Sequence, residues 1–142
     1  MNKPLLIGGV LSILAALLHI ATIIGGPEWY RFLGAGEEMA TLAENGSWIP
    51  ATVTFGIFVV LFIWGLYAFS GAGFLKRLPF IKLALVFIST IYSVRGLMLF
   101  PVLVISPDLV NSLTIWSSVI CLIIGMTYAV GTRQVWSTIS TK

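Results

Sequence analysis

Apolar residues along this chain come in four long runs separated by short polar breaks. The first covers residues 4–24 without a charge, about 21 residues, which as an α-helix is about 31 Å long and matches one bilayer core. The others cover 48–70, 79–103 and 109–131. The short breaks between the later runs force antiparallel neighbours. The pattern predicts an all-α integral membrane protein, an up-down four-helix transmembrane bundle forming a single domain over 1–142. The opening Met-Asn-Lys followed by an apolar run looks like a signal peptide, but the run exceeds the usual signal core and no clean small-residue cleavage site follows. It reads as a retained helix.

The breaks carry their own signals. Gly25-Gly26-Pro27 ends the first run, and 25–47 is the one sizeable loop. Pro27 at a first helical position, with Glu28 behind it, opens a short helix through Leu33. Gly34-Ala35-Gly36 breaks it, and 37–44 forms a further turn or two that Asn45-Gly46 stops. Trp29, Tyr30 and Trp48 suit the headgroup level. Asn45-Gly46-Ser47 fits a glycosylation triplet, yet at a membrane edge it reads as a turn followed by an N-cap. Gly71-Ala72-Gly73 ends the second run, Pro101 bends or ends the third, and Ser106-Pro107-Asp108 is a tight turn.

Composition supports the membrane assignment. Hydrophobic residues make up 58% of the chain and charged residues 9%, with a mean hydropathy of +1.05. A soluble domain carries roughly 25% charged residues, so the apolar excess here has to face lipid. Charge then sets direction. With the N-terminus inside, Lys3, Lys76, Arg77, Lys82, Arg133 and Lys142 fall on the cytoplasmic side and Arg31 alone falls outside, the usual positive-inside asymmetry. Glu28, Glu37, Glu38, Glu44 and Asp108 all fall outside. The expected location is a plasma membrane, of the bacterial inner-membrane kind, with both termini cytoplasmic. The net charge of +3 does not point to nucleic acid, because the basic residues are spread out and form no run interleaved with aromatics. Cys121 is the single cysteine, which excludes an internal disulfide and thiol redox work.

Arg95 is the sharpest chemical signal, since a guanidinium at bilayer depth costs at least about 2.5–3.5 kcal/mol on insertion scales. It is expected to face the bundle interior or a cavity and to have a partner. His19, the sole histidine, shares a helix face with Gly8, Ser12, Ala15 and Ala16, small residues that mark close helix packing and turn it inward. Both residues lie six positions from an outer helix end, about 9 Å deep. At that level the third run adds Tyr92 and Ser93, and the fourth adds Asn111, Thr114 and Ser118 along one face. Glu37 and Glu38 follow a Gly-Ala-Gly hinge and are placed to close over the mouth, one of them against Arg95. Neither a metal site nor a cofactor is expected, because a lone histidine without thiols or helical carboxylates is a poor ligand set.

In size and helix count the chain is similar to small multidrug transporters, to quinone-linked disulfide-forming enzymes and to membrane glutathione transferases. The first carry a glutamate in helix one, where this chain has His19 and no embedded acid. The second need cysteine pairs, and no extended motif of the third is present. No family follows from the residues.

The polar outer half predicts an outward-facing pocket that binds a small anionic, polar or lipid-like ligand around Arg95 and His19. A second reading is an interaction subunit or homo-oligomer without activity of its own, with Gly8, Ser12 and Ala15 as its contact stripe. A third is a small membrane enzyme moving protons through His, Arg and Glu. No nucleophile–base pair is legible, so no catalytic residue is assigned.

Overall fold

A computed structural model describes residues 1–140. Lys142, part of the charge asymmetry above, lies outside them. Among the described residues the chain is helical with no strand: α1 (Lys3–Gly25), α2 (Pro27–Phe32), α3 (Glu37–Glu44), α4 (Ile49–Gly71), α5 (Ile81–Leu97), α6 (Leu99–Ile105) and α7 (Ser112–Val135), with a 3₁₀ turn at Pro107–Leu109. Four stretches are long and apolar enough to cross a membrane, namely α1, α4, α7 and the α5–α6 pair taken together as Ile81–Ile105.

Local chemistry accounts for where the helices begin and end. Pro27 starts α2 behind Gly26, whose φ of 74° is in the left-handed region that glycine enters freely. Gly36 (φ 99°) precedes α3, and Asn45 with Gly46 (φ 74°) closes it. Ser47 Oγ accepts from the Ile49 amide at 3.3 Å, capping α4. Boundaries of the third and fourth spans differ from expectation, the fourth ending at Val135 rather than at 131. Phe80 adopts a left-handed φ of 54°, so the third span starts at Ile81 rather than at 79. It breaks at Met98, because Pro101 has no N–H to give the Leu97 carbonyl. Helical bonding resumes with Val102 N–H to Met98 O at 3.3 Å, and the span runs on to Ile105. The fourth starts at Ser112 rather than 109, since Val110 is extended and Asn111 caps the helix.

The chain packs as two compact units. One holds residues 1–12 with 64 onward, and the other holds residues 13–63. In the first unit, glycines let helices approach closely. A Cβ on Gly96 of α5 would come 2.8 Å from the Ser118 carbonyl oxygen of α7, and one on Gly125 would come 3.0 Å from the Ser93 amide nitrogen. These pairings, with Ser89 Oγ donating to Gly125 O at 3.1 Å, make α5 and α7 antiparallel. The start of α1 likewise meets the end of α7, where a Cβ on Gly131 would press on Leu5. The end of α4 meets the start of α1 and of α5, with Gly71 against Leu5 and Leu85. Leu5, Leu85, Ile88, Ile124 and Tyr128 form the fully enclosed centre of this unit.

The second unit contains the remainder of α1, the α2–α3 hairpin and the first part of α4. Tyr30 is buried here at 3% exposure, so it does not stand at a headgroup surface as expected, whereas Trp48 is 72% exposed. Along α4, Val53, Phe55, Ile57, Val60 and Ile63 are all exposed apolar side chains. A helix apolar on every side fits a lipid environment.

Candidate functional site

The most enclosed polar group of the first unit is a chain of hydroxyls. Ser12 Oγ lies 2.9 Å from Tyr92 Oη and 2.9 Å from Tyr128 Oη, and Tyr128 Oη lies 2.9 Å from the Trp64 carbonyl oxygen. Proton counting gives the chain a direction. A carbonyl only accepts, so Tyr128 donates its proton to Trp64. Ser12 must then donate to Tyr128, and Tyr92 must donate to Ser12. Each hydroxyl proton is used once, and α1, α4, α5 and α7 each supply one member. Trp64 adds an edge-on ring contact to Tyr92 at 5.2 Å between centroids. This group ties helices together. Of its members, sequence reasoning singled out Tyr92 as a site residue and missed Ser12 and Tyr128. Ser12 sits on the small-residue stripe of α1, and a serine on such a stripe is itself a signal for an interhelical hydrogen bond.

Arg95 is exposed, which corrects the expectation of an interior position. The buried stripe of α5 is Ile81, Leu85, Ile88, Tyr92 and Gly96. At 100° per residue Arg95 stands about 60° off Tyr92, on the flank of that stripe. Since the span continues to Ile105, Arg95 lies about 15 Å from that end and about 21 Å from the other, deeper than six residues before Pro101 had suggested. Among the described residues its guanidinium has no hydrogen bond and no ion pair. Ser93, half-buried two residues before Arg95, packs at Gly125.

On α7 the three candidates differ in role. Asn111 is the N-cap, not a member of a helix face lining a pocket: its Oδ1 accepts from the Thr114 amide at 2.9 Å and from Thr114 Oγ1 at 3.1 Å. An asparagine at that position satisfies an otherwise unbonded helical N–H. Thr114 is thereby engaged as well. Ser118 is fully buried, and among the described residues its hydroxyl has no partner.

The other candidates belong to the second unit. His19 is half-buried, and its Nδ1–H donates to the Ala15 carbonyl of its own helix at 2.7 Å. That bond fixes the tautomer and leaves Nε2 as the chemically available nitrogen. Glu37 is claimed by Arg31 instead of reaching for Arg95. Arg31 Nε lies 3.0 and 2.9 Å from the two Glu37 carboxylate oxygens, Nη2 lies 2.7 Å from Oε1, and Nη1 lies 2.7 Å from Glu44 Oε1. The Arg31 hydrogen bonds hold both carboxyls below their usual range, and Glu37 and then Glu44 raise the guanidinium in turn. Thus Arg31 joins α2 to both ends of α3. Glu38 is exposed.

Two surface grooves lie in the first unit, and neither includes any of the nine candidates. One, about 710 Å³, is bordered by Arg77, Pro79, Phe80, Lys82 and Ile139. The other, about 320 Å³, lies between the start of α5 and the end of α7. Arg77 also donates to the Ile139 carbonyl. Among the described residues no three His, Cys, Asp or Glu side chains gather as a metal site would need. Comparison of the chain with family models, with curated proteins and with solved structures gives no match.

Proposed function

We propose that the chain is an up-down four-helix bundle spanning a plasma membrane, of the bacterial inner-membrane type, with both termini cytoplasmic, and that Arg95 receives the acidic group of a small lipid-like ligand. The observation that carries this reading is an exposed guanidinium, deep in a span of α5 and α6, with no hydrogen bond or ion pair among the described residues. A charge held at such depth costs several kcal/mol unless an acid or water meets it. Its place on a helix flank favours a ligand arriving laterally from the bilayer over one enclosed in a central pocket. Arginine suits the task, since its planar fork bonds a carboxylate or phosphate through two parallel N–H groups.

Thermal unfolding of the purified chain in neutral detergent, with added oleate or oleyl alcohol, tests the proposal. Oleate raises the melting temperature of the native chain and leaves Arg95→Gln unmoved, while oleyl alcohol affects neither. Equal shifts with the acid and the alcohol, or an oleate shift that survives Arg95→Gln, would refute a carboxylate contact at Arg95.

The same exposure favours a second reading, in which a carboxylate of another membrane protein meets Arg95. In that case Arg95→Gln releases a co-purifying partner or dissociates an oligomer in size-exclusion chromatography, and oleate has no effect on the native chain.

A further inference from the structure

We propose that the groove between the start of α5 and the end of α7 binds an anionic phospholipid, with its phosphate between Lys82 and Arg133 and an acyl chain along Val86 and Ala129. The groove has a volume of about 320 Å³, at the low end of ligand-sized sites. Its lining includes Val86 and Ala129 as an apolar floor, the hydroxyl residues Ser89, Thr90 and Thr132, and Arg133 and Trp136 at the end of α7. Lys82 Nζ sits 4.5 Å from the centroid of the Trp136 ring. Lys82 lines the neighbouring groove, not this one; its contact with Trp136 brings the ammonium beside this groove while leaving N–H groups free to donate. Arg133 lies three residues before Trp136, on the same side of the chain. It is exposed and has no side-chain hydrogen bond or ion pair among the described residues.

Charge complementarity decides the occupant. The first unit carries Lys3, Lys76, Arg77, Lys82 and Arg133 near this end of its helices, and its one acid is Asp108, in the turn beyond the far end of α6. Among the described residues no carboxylate of the unit pairs with Arg133. Because α5 starts where α7 ends, the positive end of one helix dipole offsets the negative end of the other, and the side-chain cations set the sign. Basic clefts between helices at the cytoplasmic face are suited to anionic headgroups. The groove runs from Trp136 back to Ala129, about 10 Å into the span. A free phosphate would leave that apolar floor unused, whereas a phospholipid fills both parts.

The proposal needs the four spans to lie in a bilayer but does not need Arg95 to bind anything. The test uses the full-length chain, delipidated in neutral detergent, with dioleoyl phosphatidylglycerol, dioleoyl phosphatidylcholine or glycerol 3-phosphate added and retained ligands counted by native mass spectrometry. Phosphatidylglycerol is retained about tenfold to thirtyfold better than phosphatidylcholine, as expected for two cations at a membrane surface. Lys82→Gln with Arg133→Gln abolishes that preference, and Ala129→Trp, which fills the groove and leaves the charges, lowers retention of phosphatidylglycerol. Arg95→Gln leaves it unchanged, so failure here is distinct from failure of the oleate test. Equal retention of the two lipids overturns the proposal. So does a preference that survives the double substitution or the tryptophan, or glycerol 3-phosphate binding as tightly as the lipid. Unchanged lipid-free melting of each variant confirms that the fold is intact.

Discussion

Ser12 Oγ and Tyr128 Oη lie 2.9 Å apart, and the serine is the donor, because Tyr128 has its proton engaged on the Trp64 carbonyl. The direction of this bond gives the two tyrosines of the hydroxyl chain unequal weight. Tyr92→Phe removes only a donor to Ser12. Tyr128→Phe removes the acceptor for Ser12 and a donor to Trp64 together. Interhelical hydrogen bonds within membrane proteins are worth about 0.6–2 kcal/mol each. Tyr128→Phe is therefore expected to destabilise by roughly twice as much as Tyr92→Phe, read from reversible denaturant unfolding in mixed micelles. Equal or inverted losses would contradict the assigned direction.

Close backbone approach makes a second expectation. Gly96→Ala places a methyl 2.8 Å from a backbone oxygen of α7 that no rotamer change can move. A loss of about 1–3 kcal/mol is expected from such overpacking. Gly56→Ala on α4 meets nothing within 4 Å, so there the better helix propensity of alanine dominates, by up to about 1 kcal/mol. Melting temperatures of the two variants should move in opposite directions.

Acid should loosen the α2–α3 hairpin. Arg31 depresses the carboxyls of Glu37 and Glu44. A depressed carboxyl contributes stability that is present above its unfolded value, near 4.3, and is lost as pH falls through the lower folded value. Amide hydrogen exchange across 27–44 is expected to rise below about pH 4, after correction for the intrinsic rate. In Arg31→Gln the same amides should already exchange faster at neutral pH, with little further acid response. Acid-insensitive protection in the native chain would mean that the ion cluster does not hold the hairpin.

Orientation is testable by single cysteines on a Cys121→Ser background. Lys76 and Glu38 are both exposed. With cytoplasmic termini, Glu38→Cys reacts with a membrane-impermeant maleimide in intact cells, and Lys76→Cys reacts only after permeabilisation. The reverse pattern would invert the topology.

The span limits and the loop helices were legible in the sequence to within a few residues. Apolar runs of membrane length, Pro27, the glycine pair around Ala35 and the Asn45-Gly46 stop act through local chemistry that needs no partner. The positions of Arg95 and Glu37 were not legible. Helices that are apolar on nearly every side carry no strong periodic signal of which face turns inward, so an embedded arginine was assigned to the interior by its energetic cost alone. The face was decided by Gly96, Gly125 and the hydroxyls of Ser12, Tyr92 and Tyr128, which meet across distances in sequence that no local pattern encodes.

By itself, then, the sequence determined four membrane-length helices, a charge asymmetry and a helical acidic loop, because length, apolarity and turn chemistry are properties of contiguous residues. Tertiary structure alone decided that Arg31 takes Glu37, that Asn111 serves as a cap, that Arg95 lies on an exposed flank and that a cationic groove opens between α5 and α7. Apart from the Asn111 cap, which is local to the start of α7, these depend on how one helix is set against another, which close-packed small residues and directed hydrogen bonds select.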